Sequence, residues 1–205
     1  MKPSSKAWMR RHVSDTYVKQ AQAQGYRSRA AYKLLEIAKR DRLISAGACV
    51  VDLGAAPGSW SQVIAEQVGA RGMVIALDLL EMSSVPGVTF IHGDFREDQV
   101  LAELEAALGG RRVDLVVSDM APNISGIAAA DQARSLHLCE LALEFSRKHL
   151  KDGGNFLVKA FQGSGFAEFQ KAMRECFVTV VSRKPEASRD SSTEMYLLGK
   201  GFKGC

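Results

Sequence analysis

Short apolar runs alternate with helical segments along most of this chain, and that alternation limits the fold more than any other feature. Ala48–Leu53 (ACVVDL), Met73–Leu77, Val88–His92, Val113–Ser118 and Asn155–Ala160 have the length and apolar content of buried strands. Ser59–Val68, Glu97–Leu108 and Asp131–Leu150 lie between them with helical character, and Phe166–Cys176 follows as another helix. Gly109-Gly110 and Gly153-Gly154 read as helix stop signals. The long helix carries a predicted apolar stripe at Leu138, Leu141, Ala142 and Phe145. Strands that alternate with helices form a parallel sheet covered on both faces. The last two strands, Phe177–Arg183 and Met195–Gly199, have only the polar loop PEASRDSST between them. A loop without a helix predicts that the last strand pairs antiparallel.

In open sheets of this kind, ligands bind beyond the carboxyl ends of the strands, near the point where strand order reverses. Asp78, Asp94, Asp119 and Lys159 each fall at or just past a predicted strand end. Gly54–Gly58 is the loop after the first strand. All five features therefore line one rim.

The loop reads VDLGAAPGSW. Its glycines let backbone approach a ligand where a Cβ would clash. A dinucleotide fingerprint needs a second glycine two positions after the first, and Ala56 stands there. Asp78, 24 residues after Gly54, has the position of a carboxylate that binds ribose hydroxyls. Together these features favour an adenosine-containing ligand without a pyrophosphate, and S-adenosylmethionine (SAM) is the natural candidate. A nicotinamide oxidoreductase fits the sheet but not the missing glycine. Asp94 in HGDF is either a ligand carboxylate or a cap for the Glu97 helix. Trp60 is either core or a wall of the pocket.

Lys159 sits in FLVKAFQG, an apolar run where a lysine needs a reason. SDMAPN after the fourth strand lacks the NPPY-type tetrapeptide of base amine methylation. No cysteine lies at a strand end with neighbours suited to attack on a pyrimidine. Methylation of a hydroxyl remains, and a neutral lysine can take the proton of a ribose 2′-OH. Moving a lysine from pKa ~10.4 to ~7 requires a bias of about 4.6 kcal/mol. Burial and a second cation such as Lys33 push that way, and Asp119 pushes back. A charged Lys159 that mainly orients the hydroxyl is the alternative division of labour.

Ser28–Arg40 is a predicted helix with its apolar stripe at Ala31, Leu34, Leu35 and Ala38, and Lys33 lies off that stripe. Residues 1–42 hold eleven Lys/Arg against three acids, a local charge of +8 in a chain whose net charge is +4. That asymmetry points to a polyanion partner. Residues 1–27 form a basic extension to a single domain of 205 residues; its first ten or so read as a flexible tail, and a folded basic face begins near Tyr17. No apolar run approaches the ~18 residues of a membrane span, and the N-terminus has no signal-peptide core. Cys49, Cys139, Cys176 and Cys205 are scattered without a CxxC pair. That argues against zinc and a disulfide framework, and for a reducing, cytoplasmic compartment. His12, His92, His137 and His149 have no ligand-like spacing, so no metal is expected.

RSRAAYKLLEI, VDLGAAPGSWSQ, GDF, SDMAPN, FQG and RKPEASR, in this order from about Trp8 to the C-terminus, resemble the FtsJ/RrmJ family of RNA 2′-O-ribose methyltransferases. Lys33, Asp119, Lys159 and Glu194 match its K-D-K-E tetrad. The resemblance implies a Rossmann-like SAM-dependent methyltransferase fold with seven strands. It implies Lys159 as proton acceptor, with Lys33 and Glu194 completing the tetrad. SAM contacts are implied at Gly58, Trp60, Asp78, Asp94 and Asp119, and RNA contacts at Arg27, Arg29 and Arg189. The implied substrate is a uridine of 23S rRNA in the assembled large ribosomal subunit, and a monomer is the expected state. tRNA or an mRNA cap is an alternative substrate, and a non-catalytic RNA-binding assembly factor is an alternative function. Ser59 departs from a glycine common in the family's loop and removes no functional group. Taken singly, Lys33 also reads as a solvated helix residue, Asp119 as a turn cap and Glu194 as a strand-edge charge.

Overall fold

The structure is a computed structural model that describes residues 15–188 and 192–205. Residues 1–10 and Arg189 lie outside the described residues. Helix α1 (Thr16–Gln24) begins where the Asp15 side chain accepts a hydrogen bond from the Tyr17 N–H and ends at Gly25, in the left-handed region at φ 77°. The elements that follow are α2 (Ala30–Asp41), β1 (Cys49–Leu53), α3 (Ser59–Val68), β2 (Met73–Asp78), β3 (Val88–His92), α4 (Asp98–Leu108), β4 (Val113–Ser118), α5 (Ala128–His149), β5 (Leu150–Phe161), α6 (Phe166–Cys176), β6 (Phe177–Arg183) and β7 (Glu194–Phe202).

The seven strands form one sheet in the order β3-β2-β1-β4-β5-β7-β6. β1 pairs parallel with β2 and β4, and β7 runs antiparallel between β5 and β6, as the helix-free connection requires. Alternate residues of each strand enter opposite cores. Val51, Leu53, Ile75 and Val116 pack with α4, α5 and α6 on one face. Val50, Val74, Leu115, Leu157 and Tyr196 pack with α2 and α3 on the other. This is the Rossmann-like arrangement, and chain order reverses between β1 and β4, so the loops after β1, β2 and β4 converge.

Four expectations need correction. The buried stripe of α2 is Ala31, Leu34, Ile37 and Ala38, with Leu35 only half-buried. The helix is thus rolled toward Ile37, and Lys33, four residues before it, turns inward with that face. β5 starts at Leu150 directly after α5 rather than at Asn155. Gly153 and Gly154 sit in an irregular stretch of the strand, where β4 residues 113 and 115 face β5 residues 150 and 155. They mark a bulge and not a helix stop. Finally, Cys176 and Cys205 form a disulfide. The Lys203 N–H bonds the Cys176 carbonyl and brings the chain end beside α6, a proximity that spacing along the sequence does not reveal. The α5 stripe also differs in detail: Cys139, Ala142, Leu143 and Phe145 are buried, whereas Leu138 and Leu141 are half-buried.

Candidate active site

The Gly-rich loop leaves β1 in a conformation that only glycine adopts without strain. Gly54 has φ 79°, and a Cβ there would lie 2.8 Å from the backbone N and Cα of Met120. The absence of a side chain lets the loops after β1 and β4 touch. The N–H groups of Gly54 and Ala55 donate to the Leu77 carbonyl at 2.8 and 3.1 Å, which joins the loop to the end of β2. Asp78 strengthens that join. Its Oδ2 accepts from the Ala56 N–H and its Oδ1 from the Leu80 N–H, both at 2.8 Å. Each oxygen keeps a lone pair for a further donor. Gly58, at φ 102°, opens α3, whose N-terminus has no side-chain cap. Its first N–H groups therefore present positive partial charge to the loop.

Asp94 and Trp60 differ from a free pocket wall. Arg96 donates to both Asp94 oxygens from Nε and Nη2, at 2.6 to 3.1 Å, and its guanidinium holds the Asp94 carboxyl below the usual carboxylate range. Glu97, not Asp94, is the N-cap of α4. Trp60 is buried in the α2–α3 core. Its Nε1–H donates to the Ala30 carbonyl at 2.9 Å, and its ring centroid lies 5.6 Å from that of Tyr196.

On the other side of β4, Lys159 and Glu194 are brought together by the β5–β7 register. Lys159 faces Tyr196 across the pair, and Phe161 faces Glu194. Glu194 and Tyr196 are two apart on one strand, so they share a face with Lys159. The Lys159 ammonium donates to the Asp119 carbonyl at 2.6 Å and lies 3.2 Å from Asp119 Oδ1. Lys33 reaches from α2 and donates to Glu194 Oε1 at 2.6 Å, and its Nζ stands 5.7 Å from the Tyr196 ring centre. Burial works against the charged form of Glu194. Even so, the charge and hydrogen bond of Lys33, with help from Lys159 and Ser188, hold its carboxyl below the usual range. All four tetrad residues thus stand at one place, in two partly buried ion pairs. A cleft of about 380 Å³ opens beside it, lined by Ser28, Arg29, Lys33, Ala187, Ser192 and Glu194.

Two residues here escape sequence reasoning. Tyr196 is fully buried and donates to Asp119 Oδ1 at 2.9 Å, joining the two ion pairs. Burial, then the charges of Asp119 and Glu194, push its phenol well above its ordinary value, so it stays a donor. The word STEMYL places it two residues from Glu194, and strand alternation was the signal available. Asp52 is hidden inside an apolar run. It is 0% exposed, its Oδ2 accepts from Ser61 Oγ at 2.6 Å, and its Oδ1 has no hydrogen-bond partner among the described residues. Burial, and then the charges of Asp119 and Asp78, push its carboxyl up to about 7 against the pull of the Ser61 bond.

Two of the arginines expected at RNA, Arg27 and Arg29, have partners inside the protein. Arg27 donates to the carbonyls of Pro57, Ser83 and Ser84. Arg29 bonds Asp15 and the Ala187 carbonyl and lies over the Tyr17 ring.

A doubly wound sheet, a glycine loop with a strand-end carboxylate and a lysine–aspartate pair on the same rim define an α/β enzyme of the group-transfer class. The FtsJ-like methyltransferase family model matches residues 26–202, and the chain belongs to that family. It is 65% identical over 196 residues to the ribosomal RNA large subunit methyltransferase E of Azoarcus sp. (strain BH72), with 96% of each chain covered. The protein of the same name from Chromobacterium violaceum is 64% identical over 198 residues, covering 97% of each. Among solved structures, a ribosomal RNA methyltransferase from Plasmodium falciparum superposes with a TM-score of 0.77 at 31% identity, over 88% of this chain and all of the other.

Proposed function

We propose that this methyltransferase transfers a methyl group from SAM to the ribose 2′-OH of a uridine in 23S rRNA, acting in the cytoplasm as a monomeric single domain on the assembled large subunit. The observation that carries the proposal is the Lys159–Asp119 pair, 2.6 and 3.2 Å apart, at the rim beside the Gly-rich loop. The names of the large-subunit relatives supply the class of RNA.

The residues on the rim fit SAM. Gly54 and Gly58 let Met120, Arg27 and the 82–85 segment pack close around the loop, the α3 N-terminus suits a carboxylate, and Asp78 has lone pairs for ribose hydroxyls. Asp94, Trp60 and Asp119 complete the proposed set. When bound, SAM supplies an electrophilic methyl on a sulfonium, whose departure needs no protonation. What the protein must supply is a deprotonated or proton-shared hydroxyl. Once its ammonium has released a proton to solvent, Lys159 accepts the 2′-OH proton as the new bond from oxygen to the methyl carbon forms and the bond from that carbon to sulfur breaks. Asp119, held by Tyr196, fixes the position of the Lys159 amine. Lys33, held by Glu194, presents a positive charge on the cleft side, where the ribose and its phosphates approach. Arg29 borders the same cleft, and Arg189, outside the described residues, is a further proposed RNA contact.

The test is ribose-methyl mapping of rRNA from cells that lack the protein, before and after purified protein and SAM are added to their large subunits. One uridine 2′-O-methyl restored on 23S rRNA supports the proposal. Methyl transfer only to tRNA or capped RNA, or none at all, would refute it.

A further inference from the structure

Arg27 lies on the turn between α1 and α2, six residues before Lys33, and its side chain runs toward the opposite side of the rim. Nη1 donates to the Pro57 carbonyl at 2.9 Å and to the Ser83 carbonyl at 2.6 Å, and Nη2 donates to the Ser84 carbonyl at 2.7 Å. Pro57 belongs to the Gly-rich loop, and Ser83 and Ser84 to the segment after β2 and Asp78. One guanidinium therefore bridges two loops that share no strand pairing at those positions. Gly58 adds an independent observation. A Cβ there would fall 2.7 Å from Arg27 Nη1, 3.1 Å from Val85 Cγ2 and 3.2 Å from Met82 Sδ. The arginine and the 82–85 segment are thus seated on the glycine itself.

The turn that carries Arg27 is also fixed to α3. The Arg27 N–H donates to Gln62 Oε1 at 3.0 Å, and Gln62 Nε2 donates to the Gly25 carbonyl at 3.0 Å. Ser28 and Ser59 hydroxyls bond at 2.8 Å, and Trp60 holds the Ala30 carbonyl. A rigid base thus presents a planar fork of donors to three carbonyls, a task a point-charge lysine performs poorly.

We infer that Arg27 is a positioning residue for the methyl donor: it holds the two walls of the donor pocket together and ties them to the segment that carries Lys33. This rests on the reading of the rim as a SAM site. It reassigns Arg27 from the RNA surface to the cofactor side. Arg27→Ala frees the 82–85 segment from the Gly-rich loop, so the donor must order both when it binds.

The experiment is calorimetry of the full-length protein with SAM for wild type, Arg27→Ala and Arg27→Lys, with RNA binding measured against salt in parallel. Arg27→Ala weakens SAM binding on the order of tenfold, most of the kinetic loss falls in KM for SAM rather than in kcat, and Arg27→Lys lies between. The salt slope of RNA binding does not change. Should Arg27→Ala melt below the assay temperature, Arg27→Lys carries the same reading through several-fold weaker SAM binding. SAM affinity within twofold of wild type in both variants overturns the inference. So does a salt slope shallower by about one with SAM binding intact, which makes Arg27 a phosphate contact. Wild type that binds no SAM overturns the function on which the inference rests.

Discussion

Asp52→Asn tests how dry the floor beneath the glycine loop is. Asp52 is fully buried, with its carboxyl pushed up to about 7. An unfolded aspartate titrates near 3.9, so the folded chain holds the proton more tightly. Between pH ~4 and ~7 the folded state binds more protons than the unfolded one, and stability falls as pH rises through this window. The full loss is about 4 kcal/mol, of which about 2.7 kcal/mol falls between pH 5 and pH 8. Asparagine removes this step and leaves a pH-independent cost of ~1–3 kcal/mol for its imperfectly paired amide. The assay is denaturant unfolding of the donor-free protein across that range. The stability of Asp52→Asn relative to wild type should improve by roughly 2.7 kcal/mol from pH 5 to pH 8. Parallel pH profiles would mean that Asp52 is ionised throughout, and the reasoning from burial would be wrong.

Tyr196→Phe removes the hydroxyl that donates to Asp119 and should slow methyl transfer roughly tenfold or more while SAM affinity holds; an unchanged single-turnover rate would reduce that bond to packing. Glu194 has a depressed carboxyl, so its stabilisation is present above the ordinary carboxylate range and is lost as pH falls through its folded value. Glu194→Gln should therefore flatten acid unfolding below pH ~4.5 and also lower transfer, readable by circular dichroism and methyl incorporation. Gly54→Ala forces a side chain onto Met120 backbone at positive φ. It should cost more than ~1 kcal/mol in a thermal melt and weaken SAM binding in calorimetry.

The strand ends were legible because apolar runs and glycine turns are local signals. Asp78, Asp119 and Lys159 follow from them through the sheet rule alone. Lys33 and Glu194 were legible only as members of a resembled pattern, since 161 residues separate partners that meet at 2.6 Å. Tyr196 was missed because its partner Asp119 is 77 residues away and a tyrosine in a strand reads as core. Asp52 was missed because ACVVDL reads as one buried run. The turn of α2 toward Ile37 was invisible because Leu35 and Ile37 satisfy helical spacing equally well, and packing into the core shared with α3 and the sheet decides between them. Arg27 read as basic surface because charge composition cannot tell a solvated guanidinium from one with three carbonyl partners.

The central claim is that Lys159 takes the ribose proton at a site built by Asp119 and Tyr196. Single-turnover methyl transfer by Lys159→Ala to large-subunit rRNA, with SAM affinity measured on the same preparation, tests it most directly. The account predicts near-complete loss of transfer with SAM binding largely kept. Transfer at the wild-type rate would contradict it.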